Sequence, residues 1–221
     1  MPKAKLYVIE GLDGSGKATQ TDLLCEYLQQ KGQDYLHISF PDYDDPSSTL
    51  VKMYLSGELG GLEEVNPFGA SLFYSVDRYA SYCKHWKKDY EAGRLIIADR
   101  YTTSNVGHQM SRLPREQWDD YLEWLFETEY GRIGLPKPDK VIYLDVDPEV
   151  SRVLLSRRYE GDESKRDIHE ANFNYLLHCR DAALYGAEKM GWSIVSCTRE
   201  GAILPREEIA ASIRQTLNIN K

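Results

Sequence analysis

"YVIEGLDGSGKATQTDLLCEYLQQ", residues 7–30, passes without a break from a short apolar, β-rich run through a glycine-rich turn into a stretch of helical period. Strand, loop and helix in this order are the context in which G-x-x-x-x-G-K holds phosphate. Gly11, Gly14 and Gly16 let successive backbone N–H groups turn inward beside Ser15. The helix N-terminus adds its dipole, and Lys17 supplies the cation for the outer phosphates. The pattern departs from its usual form at Ala18, where a hydroxyl ordinarily holds magnesium. Thr19 follows about 100° further around the helix and cannot take that place. Magnesium would then rely on phosphates, waters and carboxylates elsewhere, which suits an ion that keeps much of its hydration shell.

Outward from this loop, four further apolar runs, "YLHISF", "RLIIAD", "KVIYLDV" and "WSIVSC", alternate with helical segments predicted at 17–31, 47–56, 67–91, 103–112, 115–129, 148–158, 168–190 and 205–218. Five short buried strands separated by helices predict an α/β fold, a five-stranded parallel sheet with helices on both faces. Asp147 before Pro148 and Asn66 before Pro67 read as helix starts, and Gly32 and Gly191 as stops. Ligands of such sheets sit at the carboxyl ends of the strands, so loops 10–17, 40–46, 99–105, 145–147 and 196–201 carry the chemistry.

The 221 residues fit a single domain, 1–221, and the net charge of −8 denies the chain a general basic field for nucleic acid. A small phosphorylated ligand suits that balance better. Cys25, Cys83, Cys179 and Cys197 form no C-x-x-C pair, which points to reduced thiols in a cytoplasmic protein. The opening apolar run is too short for a signal segment, and no stretch approaches the roughly 20 apolar residues of a membrane helix, so no membrane partner is expected.

Further motifs follow in order: "FPDY" at 40–43, "SLFYSVDRY" at 71–79, "ADRYTTSNVGHQ" at 98–109 and "SKRDIHE" at 164–170. With "IEGLDGSGKATQ" at their head, the chain resembles the thymidylate kinase family of P-loop nucleoside monophosphate kinases over nearly its whole length. The resemblance implies the P-loop kinase fold with a basic flap, or lid, at about 157–170. It also implies ATP-dependent phosphorylation of a deoxynucleoside monophosphate, dTMP to dTDP, with Mg2+ accompanying ATP, and a homodimer.

Residue by residue, it assigns the ATP phosphates to Gly11, Gly14, Ser15, Gly16, Lys17, Ala18 and Thr19. Asp99 would orient the metal or a water, and Arg100 would bridge donor and acceptor phosphates. Ser104, Asn105 and Gln109 match polar positions near the nucleotide. Phe40 and Tyr43 match the loop closing over the acceptor phosphate, and Asp13 the contact to the acceptor's 3′-hydroxyl. Arg78 matches the base-reading arginine, and Tyr74, one helical turn earlier, stands where the family has a stacking phenylalanine. Leu72, Phe73, Val76 and Tyr79 in the same helix read as core. Gly14 occupies a place where some members carry an arginine, so the transition-state bases are expected from the flap: Arg157, Arg158 and Arg166. Arg199 is expected to meet adenine through its backbone. His108 replaces a tyrosine that crowds the ribose 2′ position. A kinase of unphosphorylated deoxynucleosides and a non-catalytic nucleotide-binding regulator are the alternatives.

Overall fold

The computed structural model describes residues 4–158 and 173–219. Strands β1 (Lys5–Gly11), β2 (Tyr35–Ser39), β3 (Leu95–Asp99), β4 (Lys140–Asp145) and β5 (Ser193–Ser196) form one parallel sheet in the order β2-β3-β1-β4-β5. Alternate residues of the central strands feed opposite cores. Tyr7 and Ile9 of β1, with Ile97 and Ile142, pack beneath helices α1 (Lys17–Gln30) and α9 (Arg206–Leu217) through Leu24, Leu28, Ile209 and Ile213. Leu6, Val8, Ile96 and Ala98 pack on the other face against Tyr82, Trp86 and Tyr101. Burial on both faces is why the central strands β1, β3 and β4 read as unbroken apolar runs, whereas the edge strands β2 and β5 stay partly exposed. Register pairs Ile9 and Ser39 with Asp99, and Gly11 with Leu144, so the loops following β1, β2 and β3 leave the same edge of the sheet.

The helical segments appear near their expected places but are broken more often. The long segment 67–91 is α3 (Pro67–Ser81), a π turn at Tyr82–Trp86 and α4 (Lys87–Glu91). After a 3-10 turn at Pro46–Ser48 comes α2 (Thr49–Leu55), and α5 spans only Ser104–His108 before a further 3-10 turn. α6 (Trp118–Phe126) runs on into a second π segment at Glu127–Arg132. α7 is Pro148–Arg158 and α8 is Phe173–Met190. Most of the expected flap, Arg166 included, lies outside the described residues, as do the side chains of Arg157 and Arg158. Two short strands not expected from the sequence, β6 (Thr198–Arg199) and β7 (Ala202–Ile203), form a hairpin within and just beyond loop 196–201. Its two central residues, Glu200 and Gly201, both take positive φ, the tight-turn geometry that matches strand twist.

α3 corrects the core expectation. Leu72, Val76 and Tyr79 are 45%, 52% and 43% exposed, and Phe73 is half-buried beside Tyr54. The polar residues Ser71, Ser75, Asp77, Arg78 and Ser81 are the buried ones. They turn inward because each finds a partner there: Ser71 Oγ shares a hydrogen bond of 2.6 Å with Tyr121 OH, and Asp77 accepts from the Asp42 N–H at 2.9 Å and from Ser47 Oγ at 2.7 Å. A buried polar group with its hydrogen bonds made costs little. The four cysteines are free thiols, three of them buried, with Cys83 exposed. No helix among the described residues is long and apolar enough to cross a membrane.

Candidate active site

A cleft of about 970 Å³ opens where the strands end. Gly11, just outside its lining, sets the turn from which the loop departs. A Cβ there would lie 2.7 Å from Ser15 Oγ and 2.9 Å from the Leu144 carbonyl, so only glycine lets the loop turn this close to β4. Asp13, Gly14, Ser15, Gly16, Lys17, Ala18 and Thr19 then line the cleft. Gly14 and Gly16 take positive φ, Gly16 as the residue that launches α1. Lys17 is buried and folds back to donate to the Leu12 carbonyl at 2.8 Å. Burial, reinforced by the neighbouring Arg100 charge, pushes the Lys17 ammonium down to about 8, with Asp13, Asp99 and Glu10 only partly offsetting it.

Across the cleft Arg100 holds a left-handed backbone at φ 66°, its N–H tied to the Ile9 carbonyl. Its guanidinium pairs with Asp13, and its Nη1 lies 3.2 Å from His108 Nε2. A guanidinium only donates, so this Nε2 accepts and the ring proton sits on Nδ1, which faces Cys179 Sγ at 3.9 Å. Burial opposes the Arg100 charge, yet Asp13, Glu10 and Asp99 outweigh it and hold the guanidinium above its usual range. Asp99 Oδ1, Asn105 Nδ2 and Ser15 Oγ are buried beside this cleft without a hydrogen-bond partner among the described residues. Three such atoms beside one cleft are the kind of group a polar ligand satisfies.

Phe40, Tyr43, Tyr74 and Arg78 line the same cleft, as do Ser104, Asn105 and His108. Tyr43 is exposed at the rim, its carbonyl held by Lys52 Nζ. Tyr74 meets Tyr54 edge-on at 6.3 Å. Arg78 is buried, its Nε donating to Glu129 Oε2 at 2.9 Å and its Nη2 paired with Oε1.

Among the described residues, three expected ones, Gly11, Gln109 and Arg199, do not line the cleft. Gln109 is buried behind α5, with its Oε1 taken by Arg112 Nη1 at 2.7 Å. Arg199 turns its side chain to Glu208, and the wall there is built instead by Ile203, Leu204 and Arg206. The hairpin decides this, because its turn at Glu200–Gly201 carries the chain back and brings β7 against the cleft in place of β6.

A glycine-rich loop and a buried lysine share this cleft with an arginine, and Phe40, Tyr43, Tyr74 and Arg78 line it too. The family model described as thymidylate kinase matches residues 9–205. The chain belongs to the thymidylate kinase family. Thymidylate kinase of Caenorhabditis elegans is 31% identical over 155 residues, 66% of this chain and 65% of that one. Those of Plasmodium falciparum and Mycobacterium tuberculosis are each 30% identical, covering 80% and 85% of this chain and 79% and 87% of theirs. The solved structure of the Candida albicans thymidylate kinase superposes with a TM-score of 0.72 over 99% of this chain and 92% of that one, at 22% identity, which is a likeness of fold.

Three residues organise this thymidylate kinase cleft without having been singled out in the sequence. Glu10, buried at the end of β1, accepts from the Tyr101 N–H at 3.1 Å and from the hydroxyls of Thr103 and Ser104 at 2.6 and 2.7 Å. It fixes loop 100–104 to the phosphate loop, and burial pushes its carboxyl upward. A lone acid closing an apolar run was its local signal. Asp77 pins loop 40–46 to α3 through Asp42 and Ser47. Glu129 holds Arg78, and nothing in "FETEYG" distinguishes it from the exposed Glu127 two residues earlier.

Proposed function

We propose that this chain transfers the γ-phosphoryl group of ATP to dTMP, giving dTDP and ADP. The observation that carries the reading is the meeting of Lys17, Asp99 and Arg100 with the Tyr43–Tyr74–Arg78 wall in one cleft, in a member of the thymidylate kinase family. The loop glycines and Lys17 cradle the ATP phosphates. Arg100, held by Asp13 and His108, presents its remaining donors between the two nucleotides and neutralises charge on the transferring group. Tyr43 closes over the acceptor phosphate, Asp13 reaches the sugar 3′-hydroxyl, and Arg78 donates to the base over which Tyr74 stacks. Catalysis is positioning plus charge neutralisation, with no covalent enzyme intermediate.

The flap bases Arg157, Arg158 and Arg166 complete the clamp as the lid closes. Magnesium fits the site through one protein group: the unpartnered buried Oδ1 of Asp99 is the hard oxygen donor it takes, the other positions falling to phosphates and water. When bound with ATP the ion screens the charge of the phosphoryl oxygens. The exposed apolar stripe Leu72, Val76 and Tyr79 on α3 supports a homodimer packed through this helix in a cytoplasmic enzyme.

ADP release measured with ATP, magnesium and each of dTMP, dUMP, dCMP, UMP and thymidine tests the reading. dTMP is expected to be used best and thymidine not at all. Turnover of thymidine above dTMP would give the site to a nucleoside kinase, in which a carboxylate must face a free 5′-hydroxyl where Arg100 and Tyr43 stand.

A further inference from the structure

Glu129 lies in the π segment after α6 and is wholly buried. Four donors from two other parts of the chain converge on its carboxylate. Ser75 Oγ donates to Oε1 at 2.7 Å and Arg78 Nη2 pairs with the same oxygen; Arg78 Nε donates to Oε2 at 2.9 Å and Thr102 Oγ1 to it at 2.6 Å. Each oxygen thus takes two donors. The side-on fork fixes the plane of the guanidinium and uses Nε and one edge of Nη2, leaving Nη1 outside the fork on a residue that lines the cleft.

We propose that Glu129 is a positioning residue for base selection: by locking Arg78 in this fork, itself anchored by Ser75 and Thr102, it sets the preference for a pyrimidine with a 4-carbonyl over one with a 4-amino group. The proposal rests on the reading of Arg78 as the residue that meets the base. An arginine free to swing would retreat from an amino group and let water bridge the mismatch. An arginine clamped on one side cannot, so a 4-amino base sets N–H against N–H. Discrimination of this kind lies in the rigidity of the donor as much as in its identity. A buried ion pair is in general a poor source of stability compared with apolar packing, whereas fixing a geometry is its better-attested use. π segments, moreover, recur at functional sites.

The test compares kcat and KM for dTMP and dCMP, with ATP and magnesium, in the full-length protein and in Glu129→Gln, Thr102→Val, Arg78→Met and the double variant Arg78→Met/Glu129→Gln, each checked for folding by circular dichroism. Glu129→Gln keeps the shape but turns an amide donor toward Arg78. It is expected to raise KM for dTMP about tenfold with kcat within about threefold, and to lower the dTMP-to-dCMP ratio of kcat/KM at least about tenfold. Thr102→Val, which removes one anchor of Glu129 without touching the fork, is expected to lower that ratio about threefold. The double variant should be no less selective than Arg78→Met alone, because the two act as one unit.

A folded Glu129→Gln with an unchanged ratio, or one that loses kcat equally for both nucleotides, overturns the proposal. Should Glu129→Gln not fold, an unchanged ratio in Thr102→Val does the same. Arg78→Met separates the two readings: if it collapses the ratio while Glu129→Gln does not, only the role of Glu129 fails. If Arg78→Met leaves the ratio intact, the base-reading assignment fails and the proposal with it.

Discussion

Lys17→Met is expected to abolish most activity and yet to stabilise the folded protein. The Lys17 ammonium is pushed down from 10.5 to about 8 in the fold, chiefly by burial and secondarily by Arg100. Because the folded value is the lower one, the unfolded chain binds the extra proton, and the penalty is fully present below about pH 8. It is relieved as pH rises from about 8 to 10.5. A difference of this size corresponds to about 3 kcal/mol held against the fold near pH 7. Methionine keeps the length and removes the charge. It also leaves the Leu12 carbonyl without its donor, a loss of about 1 kcal/mol. The net gain near pH 7 is then about 2 kcal/mol, equivalent to a rise in Tm of roughly 5 °C for a chain of this size.

Urea or thermal unfolding of both proteins near pH 7 and again near pH 9 reads this directly. The advantage of Lys17→Met should shrink by about 1 kcal/mol at the higher pH, where the wild-type lysine sheds its proton in the fold. Turnover of dTMP should fall at least about a hundredfold, because the loop loses its only side-chain cation. A Lys17→Met protein less stable than wild type near pH 7, by a margin that does not change at pH 9, would refute the reasoning. It would mean that the lysine is charged and well compensated in the folded cleft.

Gly11→Ala drives a Cβ to 2.9 Å from a carbonyl of the neighbouring strand that cannot retreat, so a loss of about 2–3 kcal/mol in urea unfolding is expected, together with weakened ATP binding by calorimetry. Ala18→Thr restores a hydroxyl beside the phosphates, and only a modest tightening of magnesium affinity is expected from metal titrations of activity; full activity in excess chelator would sink the metal requirement. Arg100→Ala should lower turnover at least about a hundredfold with an unchanged circular dichroism spectrum, since it removes the donor set proposed to bridge the donor and acceptor phosphates. Val76→Arg places a charge in the exposed stripe of α3; by sedimentation velocity the wild type is expected to be a dimer and the variant a monomer, and a wild type that sediments as a monomer would rule out the α3 interface.

Most of what depends on neighbours a few residues away was legible in the chain, the β6–β7 hairpin being the exception. The central strands could be placed because burial on both faces demands continuous apolar runs, the edge strands β2 and β5 from shorter β-rich runs that stay partly exposed, and the phosphate loop because its glycines answer a local backbone need. The order of motifs located the cleft, and most of the expected residues line it. Other features were decided only in three dimensions. Arg78 and Glu129 are separated by 51 positions, and neither carries a mark of the other. Asp77 and Asp42 are 35 apart, and Arg100 meets Asp13 across 87. α3 shows the reason most plainly: its periodicity offers an apolar stripe and a polar stripe, and pattern alone assigns the apolar one to the interior. Which face turns inward depended on whether hydroxyls, carboxylates and N–H groups from elsewhere would arrive to satisfy Ser71, Ser75, Asp77 and Arg78. They do, so the polar face is buried and the leucine, valine and tyrosine are left outside. The polarity of a residue is written in the sequence, but its burial is settled by partners that only the folded chain supplies.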